Sequence, residues 1–284
     1  MPDRLQAAND ALLNVGKCAE DIAWILIEGI TEDVATTSHA HALKKKAGLD
    51  GDQFERLLLW HAVRQALPRL ASLPVDDSVR LRLEQDLLQL HVSKASMEIG
   101  SNNFSRAAKM ATLRRFPAGA MEWEVSGIPR SLFLQMPFPA NVRCLSFVLC
   151  HLGGREPCFF MHVPPSPRNR AMSIPKEVNR AYYRIVRSMQ LQPAVRALLA
   201  CAWFHDPAAV RDYPHLDVLN EPFVRHGGLI TLLGTAPADS GVQAGNAQRR
   251  ADYLAGKIHY KYGFGIWPRD AAIRWADAHS ELGE

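Results

Sequence analysis

The chain has 284 residues, enough for one large domain or two modest ones, and its 48% hydrophobic and 22% charged residues allow a buried core and a soluble surface. The net charge is +4, with 13 basic and 15 acidic side chains in residues 1–110 and 20 and 14 after them. That asymmetry is too mild for a protein that coats nucleic acid, but it suits local pockets for an anionic ligand. No run of about 18 apolar residues occurs, which excludes a conventional membrane-spanning helix. Met1-Pro2-Asp3-Arg4 lacks the basic and apolar stretches of a signal peptide, so the cytoplasm is the expected compartment. Cys18, Cys144, Cys150, Cys158 and Cys201 form no C-x-x-C pair; an odd count without an export signal points to reduced thiols buried in apolar surroundings.

In chain order, residues 4–36 read as helix broken near Gly16 and Gly29, and Lys44, Lys45 and Lys46 end a second short helix. Leu57, Trp60, Val63, Leu67 and Leu70 recur at helical steps and predict one buried face. Asp76 or Asp77 caps the next helix, whose stripe is Val79, Leu83, Leu87 and Leu90, and a further helix covers 102–114. The pattern changes at Pro117. Residues 121–125 alternate as a strand, 140–152 form a helix closed by Gly153-Gly154, and 158–163 form a buried strand halted by Pro164-Pro165. A helix then runs from Pro175 to about Gln190, a strand covers 195–204, and another, 229–233, follows Gly227-Gly228. Residues 246–256 are helical, 262–267 are the last strand, and Pro268 opens the terminal helix. The expected fold is therefore mixed α/β (α+β): a helical region over 1–115, then over 116–284 a mixed, about five-stranded sheet with crossover helices, the two parts packed together.

The P-loop, the dinucleotide fingerprint, H-E-x-x-H and the G-x-S-x-G elbow are all absent. Chemistry must then come from less local sets. His162 and the pair His205-Asp206 each lie at the C-terminal end of a predicted strand, the edge where open α/β sheets bind ligands, and a histidine with a carboxylate partner can take or give a proton. The alternative is that His205 and Asp206 cap the following helix and His162 bonds backbone. Glu122 and Glu124 share a strand face, as a base acting through water or as a solvated edge. Arg168, Arg170, Arg249, Arg250 and Arg269 lie near helix starts, where guanidinium forks suit phosphates, and Trp267 beside Arg269 marks a strand end; a solvated helix face explains the arginines as well. His162, His205, Asp206 and His226 also compose a metal-ligand set, though their spacing fits no local signature and no metal is expected.

The run Phe159-Phe160-Met161-His162-Val163-Pro164, followed by a loop, a helix and Leu199-Ala200-Cys201-Ala202-Trp203-Phe204-His205-Asp206-Pro207, resembles a GNAT-like C-terminal domain of bacterial proteins labelled acyltransferase. There, a strand ending His-Ile-Pro precedes a helix and a strand ending Ser-Trp-Leu-Leu-Asp-Pro. The likeness covers roughly residues 156–235. It implies a twisted sheet, an acyl-CoA or acyl-carrier-protein donor, a small-molecule amine acceptor, and a Glu or His that deprotonates the amine through water. The family's pyrophosphate loop, Q/R-x-x-G-x-G/A, has no clear counterpart here. Its absence leaves open a non-catalytic accessory protein that keeps the fold, with the helical region docking a protein partner, alongside a His/Asp metal-dependent enzyme.

Overall fold

The structure, a computed structural model of the chain, describes residues 44–45, 52–90, 95–99, 101–164, 168–235 and 247–283, with backbone alone for 168–170, 235 and 247. The helix expected over 4–36, Lys46 and Cys18 lie outside these residues. The described chain falls into two compact units: 74–78 with 117–283, and the remaining residues up to 116.

The first unit is helical, built on α1 (Gln53–Ala66), α2 (Asp77–Gln89) and α3 (Asn102–Ala111). Asp52 bonds Arg56 at 2.8 Å and accepts the Met97 N–H at 2.7 Å, and the Arg56 bond holds its carboxyl below the usual carboxylate range. Two apolar stripes compete on α1. Of the expected stripe, Val63 and Leu70 are buried, Leu57 and Leu67 are half-buried and Trp60 is exposed; Phe54, Leu58, Leu59 and Ala62 complete the buried face. The helix also stops at Ala66, where Pro68 turns the chain into a 3-10 segment, Leu67–Ser72. On α2 the buried positions are Val79, Leu83 and Leu87, as the periodicity predicts. Ser101 caps α3 by accepting the Phe104 N–H.

One mixed sheet of six strands follows, in the order β1-β2-β3-β4-β6-β5. Its strands are β1 (Arg115–Pro117), β2 (Glu122–Ser126), β3 (Cys158–His162), β4 (Ala197–Ala202), β5 (Leu229–Thr235) and β6 (Lys261–Pro268). Five match the expected strands. The sixth, β1, has three residues, too few for an alternation to be read. The helices between are α4 (Arg130–Leu134), α5 (Phe138–His151), α6 (Pro175–Gln190), α7 (Pro207–Asp212), α8 (Glu221–Arg225), α9 (Ala247–Leu254) and α10 (Arg269–Ala278). β2–β3, β4–β6 and β5–β6 pair antiparallel, and β3–β4 pair parallel. Two antiparallel strands can share a tight turn, but a parallel pair needs a crossover, and α6 supplies it.

Alternation divides the sheet into two faces. One carries Cys158, Ala197, Leu199, Leu229, Leu233, Phe264 and Ile266, packed with Cys144 and Val148 of α5. On the other, Trp123 stacks on Phe159 at 3.9 Å, and Trp267 meets Tyr182 of α6 at 5.9 Å and Trp275 of α10 at 5.5 Å. β6 has glycine at two consecutive positions of this second face because other segments press against it. A Cβ at Gly263 would lie 2.3 Å from the His205 Cβ, and one at Gly265 would lie 2.9 Å from the Phe223 ring. Gly263→Ala should therefore destabilise the protein by about 3 kcal/mol or more in urea denaturation. Gly234→Ala, whose added Cβ meets nothing within 4 Å, should change it by no more than about 0.5 kcal/mol; equal effects would show that close packing at Gly263 is not what excludes a side chain.

Candidate active site

β3 and β4 pair over residues 159–161 and 198–200. His162 follows the last paired residue of β3, and Pro164, with no N–H, turns the strand away. β4 goes on beside β6, with Cys201 opposite Phe264 and Ala202 opposite Gly263. His162 thus stands where two parallel strands stop pairing, at their C-terminal ends, the usual point of ligand entry in such sheets.

Pairing with β2 places carboxylates around it. Glu122 lies opposite His162 and Glu124 opposite Phe160, so all four share a face. His162 Nε2 lies 3.2 Å from Glu124 Oε1, with side-chain exposures of 25% and 17%. Glu122 is 1% exposed. The two glutamates therefore do not form a solvated edge. Glu124 and His162 make a carboxylate–imidazole couple, partly exposed at the side chains but with His162 Nε2 itself buried, able to hold a proton and pass it on.

His205 and Asp206 are not part of that couple. β4 ends at Ala202, earlier than its apolar run suggests, because Trp203–His205 form a 3-10 turn that carries His205 onto the opposite face of the sheet, against Gly263. His205 is 2% exposed, and its Nδ1 lies 2.6 Å from Asn220 Oδ1. The Asn220 amide donates to the Phe204 carbonyl at 2.8 Å, which orients its oxygen towards the imidazole. Nδ1 then carries the proton, and the ring stays neutral because burial pushes its pKa down to about 4. Asp206 caps α7: one oxygen accepts the Ala208 N–H at 2.9 Å, the other the Lys261 N–H at 2.7 Å. The expected meeting of His162, His205 and Asp206 in one pocket does not occur, because the turn after Ala202 and the alternation of β3 send them to different faces.

The phosphate-binding candidates also separate. Arg269 opens α10, and its guanidinium donates to the carbonyls of Met189, Gln192 at 3.0 Å, and Val195 and Gln190 at 3.4 Å. It closes the C-terminal end of α6, where orphan carbonyls attract a cation. Trp267 is buried in the aromatic core and donates its indole N–H to the His226 carbonyl at 2.9 Å. Arg250 is exposed. Arg249 holds its guanidinium 4.7 Å above the Trp203 ring and 5.5 Å from that of Tyr213. The side chains of Arg168 and Arg170 lie outside the described residues; their backbone begins the 3-10 turn Arg168–Ser173. Trp203, Tyr213 and Tyr260 escaped the sequence reading: they are scattered along the chain, and no spacing rule joins them.

No protein-family model and no curated protein matches this chain. Solved structures of acyltransferases do resemble it. One in complex with decanoyl-CoA is 14% identical, covers 88% of this chain and 75% of its own, and gives a TM-score of 0.47. One with decanoyl-CoA and teicoplanin is 14% identical, with 76% and 66% covered and a TM-score of 0.45. A third, with CoA and 10C-teicoplanin, is 14% identical, with 74% and 65% covered and a TM-score of 0.43. The chain spans just under two thirds of the length of two of these. At such distance the likeness assigns neither a family nor an activity.

Three thiols fit the expectation of buried cysteines. Burial raises Cys144 and Cys201 to about 11 and Cys158 to about 12, so all three are protonated near neutrality and poor nucleophiles. Cys150 differs: it faces out from α5. The metal-ligand set is not assembled among the described residues, since His162 and His205 lie on opposite faces and His226 pairs with Glu221 at 3.8 Å. No described helix is long and apolar enough to cross a membrane.

His205 makes stability depend on pH. The unfolded chain takes its proton near the ordinary value of about 6.5, the folded protein only near 4, so between those values the unfolded state binds more protons. Stability is full above about 6.5 and is lost as pH falls towards 4, by about 2 kcal/mol between pH 7 and pH 5. Urea titrations at the two pH values should show this loss, and His205→Gln should remove most of it. A variant as pH-sensitive as the parent would place the titration elsewhere.

Proposed function

We propose that the chain is a GNAT-like acyltransferase that moves an acyl group from a thioester donor, acyl-CoA or acyl-carrier protein, to an amine. The observation that carries this reading is the Glu124–His162 couple at the C-terminal end of the β3–β4 pair, where the pairing stops. An amine must shed a proton as it attacks a thioester carbonyl. His162 takes that proton, directly or through one water, and Glu124 orients the ring and balances the imidazolium. The C–N bond forms, the C–S bond breaks, and the thiolate takes a proton. The resemblance of residues 156–235 to GNAT-like domains supports the same chemistry. Arg168, Arg170 and Arg250 are the candidates left for the donor's phosphates, since Arg269 is engaged by carbonyls and Arg249 by aromatic rings.

The missing pyrophosphate loop favours a second reading, a non-catalytic protein that keeps the fold and offers its helical region, residues 1–115, to a protein partner. Donor binding separates the two. Octanoyl-CoA at 100 times its dissociation constant should stabilise the protein by about 2.7 kcal/mol in a thermal-shift assay. His162→Ala should keep that shift and lower turnover by roughly 10²–10⁴-fold, and Glu124→Gln should lower it less. If acetyl-, octanoyl- and decanoyl-CoA and acyl-carrier protein all leave the melting curve unmoved, the accessory reading stands. Undiminished turnover in His162→Ala would remove that residue as the base.

A further inference from the structure

Three strands lose burial towards the end of the sheet that carries His162, on the face that His162 shares. On β3, Cys158 is buried and Phe160 half-buried. On β4, Ala197 and Leu199 are buried and Cys201 half-buried. On β6, which runs the other way, Ile266 and Phe264 are buried and Tyr262 half-buried. Cys144 and Val148 of α5 belong to the buried cluster on this face, and Phe160, Cys201 and Tyr262 lie at its margin.

The strand pairing makes the three contiguous. Phe160 lies level with Leu199, so Cys201, two residues further along β4, comes level with His162. Cys201 lies opposite Phe264, and Tyr262 is the next residue of β6 on that face. The ring centres of Phe160 and His162 are 5.2 Å apart. The strip thus starts at the proposed base and crosses two strand spacings, roughly 10 Å, the reach of a straight chain of roughly eight carbons.

The face changes character at β3. Towards β2 the neighbours of His162 are the Glu122 and Glu124 carboxylates. Towards β4 and β6 no residue on this face is charged. Burial keeps the Cys201 thiol protonated, so it acts as a small apolar surface. Of the groups that meet in amine acylation, the amine and the donor's carrier are polar, and the alkyl tail alone gains by leaving water. We infer that Phe160, Cys201 and Tyr262 form the seat of the donor's acyl chain, and that the donor is a thioester of a straight chain of roughly eight carbons, not of acetate. For its use the strip rests on the amine-acylation reading. Cys201, in the middle, sets the room the chain has.

The test is calorimetric titration of the full chain with acetyl-CoA and octanoyl-CoA, with no amine present. Octanoyl-CoA should bind about tenfold or more tighter, since each buried methylene adds to affinity. Cys201→Phe, which fills the middle of the strip, should erase that difference, with circular dichroism showing the fold retained. Should that variant fail to fold, the parent is titrated with butanoyl-, hexanoyl- and decanoyl-CoA, and affinity should climb as far as octanoyl and level off. Equal binding of acetyl- and octanoyl-CoA overturns the inference, as does a difference that survives in folded Cys201→Phe. The two readings fail separately. Chain-dependent binding in a protein that acylates no amine keeps the seat and removes the enzyme, and turnover with no preference for chain length does the reverse.

Discussion

Side chains on a strand have two faces to choose from, and neighbours in sequence take opposite ones. Everything at the candidate site follows from that alternation once the β2–β3 register is set. Glu122, Glu124, Phe160 and His162 fall on one face, and Trp123, Phe159 and Met161 on the other. A slip of one residue would exchange them, sending the carboxylates into the aromatic core and Trp123 to the face of His162. The stacked Trp123 and Phe159 hold the register against such a slip.

The aromatic face is also what fixes the crossover. Tyr182 of α6 meets Phe223, Trp267 and Trp275 edge-on and donates its hydroxyl to the Leu219 carbonyl at 2.8 Å. Burial raises that phenol's pKa well above its ordinary value, so it remains a donor at any working pH. Arg269 closes the last turn of the same helix from the end of β6. With α6 held at both its apolar stripe and its C-terminus, β3 and β4 lie parallel and their pairing ends at Met161 and Ala200, next to His162.

The strands were legible because each long one is an apolar run cut off by Pro or Gly: 158–163 by Pro164, 229–233 after Gly228, 262–267 by Pro268. β1 was not, having too few residues to show a period. On α1 two apolar stripes overlap, and periodicity alone could not choose between them. At the site, the residue types could be read but not their partnerships. Glu124 meets His162 only through a register between strands more than thirty positions apart, and His205 leaves that face through a turn hidden inside an apolar stretch. Arg269 was noticed for its position beside Trp267, yet the carbonyls it serves come from a helix about 80 residues earlier in the chain.

The sheet order has a temporal consequence. Among the described strands β6 is made last, yet it lies between β4 and β5. Until it emerges from the ribosome, β5 has no neighbour to bond, and the aromatic core lacks Trp267 and Trp275. The end of the sheet beyond β4 is thus completed in one late, non-local step, the kind of contact that slows folding. Before β6 is in place, β5 has neither side paired and β4 has one side bare, and unpaired strand edges of this kind invite pairing with another molecule.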